Sequence, residues 1–179
     1  MILARGDPGA VSRPVTYSEA NRLQRAIRWF AASRLGAWFF ARALPRVDRP
    51  VYRLTGGRHT FASLVSALPV VMLRTTGARS GRSRQVPVLG LPTPDGVAVI
   101  ASNFGQRHHP AWYHNLRAHP DAEVTLRGVA IRVRAVEPEG VQRARIWEEG
   151  LRVYPGWSQY ARRATNRQIA VFLLVPVGG

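Results

Sequence analysis

Three segments of the chain carry residue types and spacings with which a protein does chemistry. The first is TTGARSGRSR, Thr75 to Arg84, where Arg79, Arg82 and Arg84 crowd in with glycines and hydroxyls. Gly77 and Gly81 permit backbone turns that aim N–H groups at an anion, and the arginines add charge-assisted bonds to phosphate or carboxylate oxygens. The segment is neither a P-loop nor a dinucleotide fingerprint, because its spacing differs and it leads into a strand rather than a helix. The second is ASNFGQRHHPAWYHNL, Ala101 to Leu116. Small residues at a strand end let a flat ligand approach the backbone, and Ser102 and Asn103 offer hydrogen bonds. Trp112, Tyr113 and Asn115 follow on a short helix that Pro110 opens. The third is YPGWSQYARR, Tyr154 to Arg163. Steps of three fall within an arc of about 120° on a helix, so Tyr154, Trp157 and Tyr160 share one face. They form either a wall over a pocket or aromatic core, and a tyrosine there is also a proton donor for a substrate undergoing reduction.

Other chemistries find no support. His108, His109 and His114 lie close in sequence but lack a further ligand at helical spacing, so no metal is expected. There is no cysteine, which excludes thiolate metal sites, disulfides and a cysteine nucleophile. No G-x-S-x-G elbow occurs. Glu148 and Glu149 fall on a solvent-facing helix rather than as an acid/base pair across a cleft.

The elements that must position these segments are legible from periodicity. Residues 1–16 mix Pro, Gly and charge without a period and read as a flexible arm. A helix begins near Ser18, taken as its N-cap, with Leu23, Ile27, Phe30 and Ala31 on one face and Arg22, Arg25 and Arg28 on the other. It runs into the apolar LGAWFFARAL, which Pro45 stops. That run is far shorter than the about 20 residues a bilayer crossing needs. Arginines beside Trp29, Phe30, Trp38, Phe39 and Phe40 suit either a membrane interface or packing on protein. A polar stretch then ends in a short helical piece, HTFASLVSAL. From Pro69 the pattern becomes β: VVMLRTT, RQVPVLGL and GVAVIAS, then a hairpin around Gly128 made by EVTLRG and VAIRVRAVE. Helices over 138–153 and 155–163 follow, and IAVFLLVP closes the chain as a fully buried strand. Tight turns between strands predict a mostly antiparallel, closed or half-closed barrel, α+β in class, with helices packed at the barrel ends. The division is an arm over 1–16, a helical extension over 17–67 and a barrel domain over 68–179.

Composition agrees with a folded chain of 179 residues, 46% hydrophobic and 20% charged. Its formal net charge is +16, and all 26 basic residues are arginine. Such a balance implies an anionic partner: a phosphorylated or carboxylated ligand, a membrane surface or nucleic acid. No recognition helix or aromatic–basic strand motif favours nucleic acid. Without a secretory signal in the arm, a cytoplasmic location is expected.

The blocks TTGARSGRSRQVPV, IASNFGQRHHPAWYHNL, LRVYPGWSQYARRATNR and IAVFLLVP resemble, in order and spacing, the deazaflavin-dependent nitroreductase family. Its members are split β-barrel oxidoreductases that use coenzyme F420. The resemblance implies that Arg79, Ser80, Gly81 and Arg84 bind the phosphate and oligoglutamate tail of the cofactor. It implies that Val86, Pro87 and Val88 run beside the deazaflavin ring, with Ala101 and Ser102 giving it backbone and hydroxyl contacts. Asn103 and Gly105 turn toward the phosphate, and Trp112 and Asn115 hold the ring. Tyr154, Trp157 and Tyr160 line the substrate pocket, with Ser102, Tyr154 or Tyr160 supplying a proton after hydride transfer to a quinone, enone or nitroaromatic. Trp157 stands where the nitroimidazole-activating member has tyrosine, and Ala78 where some members have a second basic residue. The resemblance also implies contact of the N-terminal helix with the inner face of the membrane, as in some members. FMN is the alternative cofactor and a homodimer the expected assembly. A non-catalytic binder of nucleic acid or membrane is the alternative function.

Overall fold

The computed structural model describes residues 16–33, 35, 36, 39, 68–126 and 128–178. Most of LGAWFFARAL and all but Leu68 of the stretch that follows, including HTFASLVSAL, lie outside the described residues. Six strands close an antiparallel barrel: β1 (Val70–Thr76), β2 (Ser83–Thr93), β3 (Gly96–Ile100), β4 (Asp121–Leu126), β5 (Val129–Val136) and β6 (Val171–Pro176), in the spatial order β1-β2-β3-β6-β5-β4.

Side-chain alternation explains why the barrel has a helix-covered flank. Val99, Ala101, Phe172 and Leu174 pack inside it with Val71, Leu73, Val124 and Val133. Their neighbours Ala98, Ile100, Val171 and Leu173 face outward into a second apolar cluster. β3 and β6 are thus buried on both faces, which is the physical origin of the uninterrupted apolar run in IAVFLLVP. β2 and β3 are joined by a two-residue turn at Pro94–Asp95, with Thr93 opposite Gly96.

The helices that position the rest among the described residues are α1 (Arg22–Ala32), α2 (Ala111–Ala118), α3 (Gly140–Val153) and α4 (Gly156–Arg163), with a 3₁₀ turn at Asn103–Gly105. Of these four, α2 packs with the barrel interior, through Trp112, Tyr113 and Leu116. α1, α3 and α4 instead supply the cluster against the outer faces of β2, β3 and β6. The α+β barrel with packed helices is as expected, and the doubly apolar strands draw α1, α3 and α4 along their length. None of the helices among the described residues is long and apolar enough to cross a membrane.

α1 departs from the expected pattern in two ways. Its cap is Asn21, not Ser18: Asn21 Oδ1 accepts from Gln24 N–H at 2.8 Å and Gln24 Oε1 from Asn21 N–H at 3.1 Å, a capping box. Its buried side is also not the expected apolar one. Arg28 is 1% exposed and donates to the Val153 carbonyl at 3.2 Å, whereas Leu23 is 69% exposed and Trp29 66%. The carbonyl at the end of α3 gives Arg28 a buried acceptor on the side of α1 that also buries Ala32.

Trp157 is seated against α3 at Gly150, where an added Cβ would come within 2.8 Å of the Trp157 ring and 2.9 Å of Ile100. A larger side chain gains about 1 kcal/mol of helix propensity at most, while overpacking costs about 1–3 kcal/mol. Gly150→Val is expected to destabilise by about 2 kcal/mol, read as a lower urea midpoint with an unchanged slope. An unchanged midpoint would show that the Trp157 ring yields freely.

Candidate active site

The site is built where β2 runs past the end of β3. Gly90 stands opposite Val99 as the last pair between the two strands, so β2 continues through Leu89, Val88, Pro87 and Val86 beyond the point where β3 gives way to the Ala101–Ser102 turn. Val86 and Val88 are half-buried and lean on the barrel core, giving a flat apolar surface beside a bare stretch of backbone.

The β1–β2 loop rises at one side of this surface. Gly81, at φ 62, returns the chain, and its N–H donates to the Gly77 carbonyl at 2.8 Å. Asn115 on α2 braces the loop from behind: its Oδ1 accepts the Ala78 N–H at 3.0 Å and its Nδ2 donates to Thr75 Oγ1 at 2.9 Å. Asn115 and Thr75 are both buried. Ser80 Oγ accepts from Arg82 N–H at 3.4 Å. Arg79, Arg82 and Arg84 are exposed, and none pairs with a carboxylate among the described residues.

The strand end forms the facing side. Ala101 N–H donates to Ala170, and the chain then turns through Asn103 at φ 47 and Phe104 at φ 56. Two consecutive non-glycine residues in the left-handed region are strained, and such strain clusters at ligand sites. Asn103 Nδ2 holds the turn by donating to the His108 carbonyl at 3.0 Å. Gly105 abuts α4, where an added Cβ would lie 3.0 Å from Tyr160 Cα. The Ser102 hydroxyl has no hydrogen-bond partner among the described residues. Arg167, ahead of β6, donates to the carbonyls of Ala101, Ser102 and Gln106.

The three aromatics come together, though not on one helix: Tyr154 sits at the break between α3 and α4 and meets Trp157 edge-on at 5.7 Å. All three are 2–4% exposed. The Tyr154 and Tyr160 hydroxyls are 2.9 Å apart, and Tyr160 donates to the Ala31 carbonyl at 2.7 Å. A hydroxyl has one proton to give, so Tyr154 must donate to Tyr160. Arg163 adds a bond to the Ala32 carbonyl and lies over the Tyr160 ring. α1 thus roofs the aromatics. Burial, followed by the neighbouring Tyr160, pushes the Tyr154 phenol far above its ordinary value. Burial also raises Tyr160.

The structure places Arg79, Ser80, Gly81, Arg84, Val86, Pro87 and Val88 on the β1–β2 loop and along β2, and Ala101, Ser102, Asn103 and Gly105 in the turn that follows β3. It turns Trp112 inward, where it meets Phe172 edge-on at 6.1 Å, and commits Asn115 to the loop. Tyr154, Trp157 and Tyr160 form a packed aromatic cluster within the outer apolar core, where Phe104 of the 3₁₀ turn meets Tyr160 edge-on at 6.2 Å. Sequence reasoning missed Arg28, Arg163 and Arg167. The available signal was a guanidinium with no acidic residue at pairing distance in sequence, as in ATNRQIA directly ahead of a buried strand.

Unpaired arginines on a braced loop, beside an apolar shelf and an open strand end, fit a flat ring that carries an anionic tail. No group of three His, Cys, Asp or Glu placed to hold a metal occurs among the described residues. Residues 44–176 match the family described as F420H(2)-dependent quinone reductase. An F420H(2)-dependent quinone reductase of Mycobacterium tuberculosis is 32% identical over 107 residues, 59% of this chain and 71% of that protein. A solved F420-H2 dependent reductase superposes with TM-score 0.55 at 34% identity, covering 59% of this chain and 93% of that one. A structure described as a domain-swapped dimer gives TM-score 0.57 at 30% identity, covering 73% and 97%. The matched segment runs through the arginine loop, the strand end and the aromatic cluster alike, and on that basis the chain belongs to the F420H(2)-dependent quinone reductase family of split-barrel oxidoreductases, whose cofactor is coenzyme F420.

Proposed function

We propose that the chain reduces a quinone-class acceptor at the surface between the β1–β2 loop and the end of β3, with enones and nitroaromatics as related electrophiles. The observation that carries this reading is the set of three carboxylate-free arginines beside the strand end, since that pairing suits a flat ring with an acidic tail. Bound coenzyme F420 in its reduced form supplies the hydride. The chain's own residues bind and orient. Arg79, Ser80, Gly81 and Arg84 hold the phosphate and carboxylates of the tail. Val86, Pro87 and Val88 exclude water from one side of the ring, and Ala101 and Ser102 present backbone and hydroxyl to its edge. Asn103 and Gly105 shape the turn beside the phosphate. Trp112 and Asn115 act from behind, one as barrel packing and the other as the brace of the loop.

Positioning of this kind is the main catalytic contribution a protein makes to hydride transfer. The proton that follows comes from Ser102, whose hydroxyl is uncommitted, or from the Tyr154–Tyr160 pair once α1, with its Ala31 carbonyl, lifts away from Tyr160. Trp157 packs beside the two phenols and completes the substrate wall. Residues 68–179 form the cofactor-binding domain and 17–67 the extension, with 1–16 as an arm.

α1 supports peripheral contact with the inner face of a membrane, because Leu23, Trp29 and Phe30 are exposed beside the exposed Arg22 and Arg25. A homodimer is the assembly proposed, in keeping with the neighbour described as a dimer.

Fluorescence titration of purified protein with coenzyme F420 tests the cofactor site, with FMN in parallel and a salt series. Micromolar binding is expected, weakened at least about tenfold when Arg79 and Arg84 become alanine and falling as salt rises. FMN binding alone would keep the barrel and change the chemistry. Binding of neither, with strongly salt-dependent binding of nucleic acid, would sink the enzyme reading. For the roof, Tyr160→Phe should cost about 1–3 kcal/mol by leaving Tyr154 and Ala31 without partners. Both phenols hold their protons more tightly folded than unfolded. Their contribution is therefore whole below pH of about 10 and is lost as the pH climbs past it. A Tyr154→Phe, Tyr160→Phe protein should show a flatter alkaline loss of Tm. Flotation with anionic liposomes should carry the chain up and leave a Leu23→Glu, Trp29→Glu variant behind; equal flotation would remove α1 from the membrane contact.

A further inference from the structure

We propose that Arg167 is a positioning residue for the cofactor: it gathers the main-chain carbonyls of Ala101, Ser102 and Gln106 and thereby aims the Asn103 N–H at the bound ring or its phosphate. The inference rests on the reading of that strand end as a wall of the cofactor site.

The geometry comes from one guanidinium. Arg167 Nη2 donates to the Ser102 carbonyl at 2.8 Å, Nε to Gln106 at 3.1 Å, and Nη1 to Ala101 at 3.2 Å. Nη1 also lies 3.3 Å from His109 Nδ1. No carboxylate pairs with Arg167 among the described residues. Apart from the His109 contact, its donors are spent on the backbone of one loop. Asn166, the preceding residue, adds a second tie by donating to the Arg107 carbonyl at 2.9 Å.

Peptide planarity turns this clamp into an aim. C=O and N–H point in opposite directions across a trans peptide, and no cis peptide occurs among the described residues. Drawing the Ser102 oxygen onto Arg167 swings the Asn103 N–H the other way. That N–H has no hydrogen-bond partner among the described residues, although Asn103 is half-buried. A shielded donor at a strained turn is completed by an acceptor from a ligand. A lysine at 167 is a point charge with no planar fork and does not hold three carbonyls at once.

His109 makes the clamp sensitive to acid. Its ring stacks on Tyr113 of α2 at 3.8 Å and 12°. The charged and titratable groups around it are Arg167 on one side, His114 and Arg117 of α2 on the other, and Tyr113 beneath. Nδ1 accepts from Arg167 only while it carries no proton. Burial first, then Arg167, His114 and Arg117, holds the imidazole below its ordinary pKa. The contact is therefore intact at neutral pH and is lost as the pH falls below the usual histidine range.

The test compares the unsubstituted chain with Arg167→Met, Arg167→Lys and His109→Gln. Coenzyme F420 affinity is read by fluorescence between pH 5 and 8 (a range of about three units around the histidine value), and His109 titration by NMR without cofactor. Arg167→Met should weaken F420 at least about tenfold and raise the His109 pKa, while Arg167→Lys recovers part of the affinity. Affinity of the unsubstituted chain should fall on acidification more steeply than that of His109→Gln, whose amide oxygen accepts at any pH. F420 binding by Arg167→Met equal to the unsubstituted chain overturns the proposal even if Tm drops, since that is the signature of a purely structural arginine. Should Arg167→Met not fold, full affinity in Arg167→Lys overturns it. An unsubstituted chain that does not bind F420 overturns the proposed function, and this inference with it.

Discussion

Positive charge without enough counter-charge is the constraint on which this structure turns. With 26 arginines against 10 acidic residues, most guanidiniums have no carboxylate to meet. Among the described residues most ion pairs are exposed, such as Arg134 with Asp121 and Arg152 with Glu149, and such pairs contribute little. The shielded guanidiniums turn instead to main-chain carbonyls. Arg28 reaches Val153, Arg143 reaches Ile169, Arg163 reaches Ala32, and Arg167 gathers Ala101, Ser102 and Gln106. Each bond joins segments distant in sequence. Together they seat α1 on the aromatic cluster and tie the approach to β6 to the loop after β3.

This arrangement divides the arginines by task. Those that found carbonyls hold the scaffold, and those left on the β1–β2 loop face solvent with their donors open. The same residue type serves as staple and as anion binder because the guanidinium is charged at all relevant pH and offers donors in a fixed fork. The apolar half of the problem is solved independently. β3 and β6, greasy on both faces, require the barrel inside and the helices outside, which leaves the end of β3 as the place where bare backbone meets a polar loop.

The strands were legible because alternation and β-branching are local signals: VVMLRTT matches β1 residue for residue, and IAVFLLVP announces a strand with no wet face. The arginine loop and the Ala101–Leu116 segment were legible as a pair because glycines, hydroxyls and cations mark a backbone prepared for a ligand. The orientation of α1 was not. Its hydrophobic period points Leu23 and Phe30 inward, whereas the structure buries Arg28, whose acceptor, the Val153 carbonyl of α3, is invisible in sequence. The fate of Asn115 was hidden for the same reason, since its partners Thr75 and Ala78 are about forty positions away. Side chains that bond to distant backbone leave no periodic trace.

A staple that ends on a carbonyl asks nothing of the side chain at that position. Ala101, Ser102, Gln106, Val153 and Ile169 present the same kind of acceptor oxygen whatever side chain they carry, so long as their own backbone geometry is kept. The sequence requirement for each tie therefore falls on one partner alone. Where a salt bridge needs two matched residues to change together, these contacts let one wall of the site drift in composition while its shape persists. Variation among the stapled positions would then retune what the site accepts without loosening it, and the arginines become the fixed points around which such drift is tolerated.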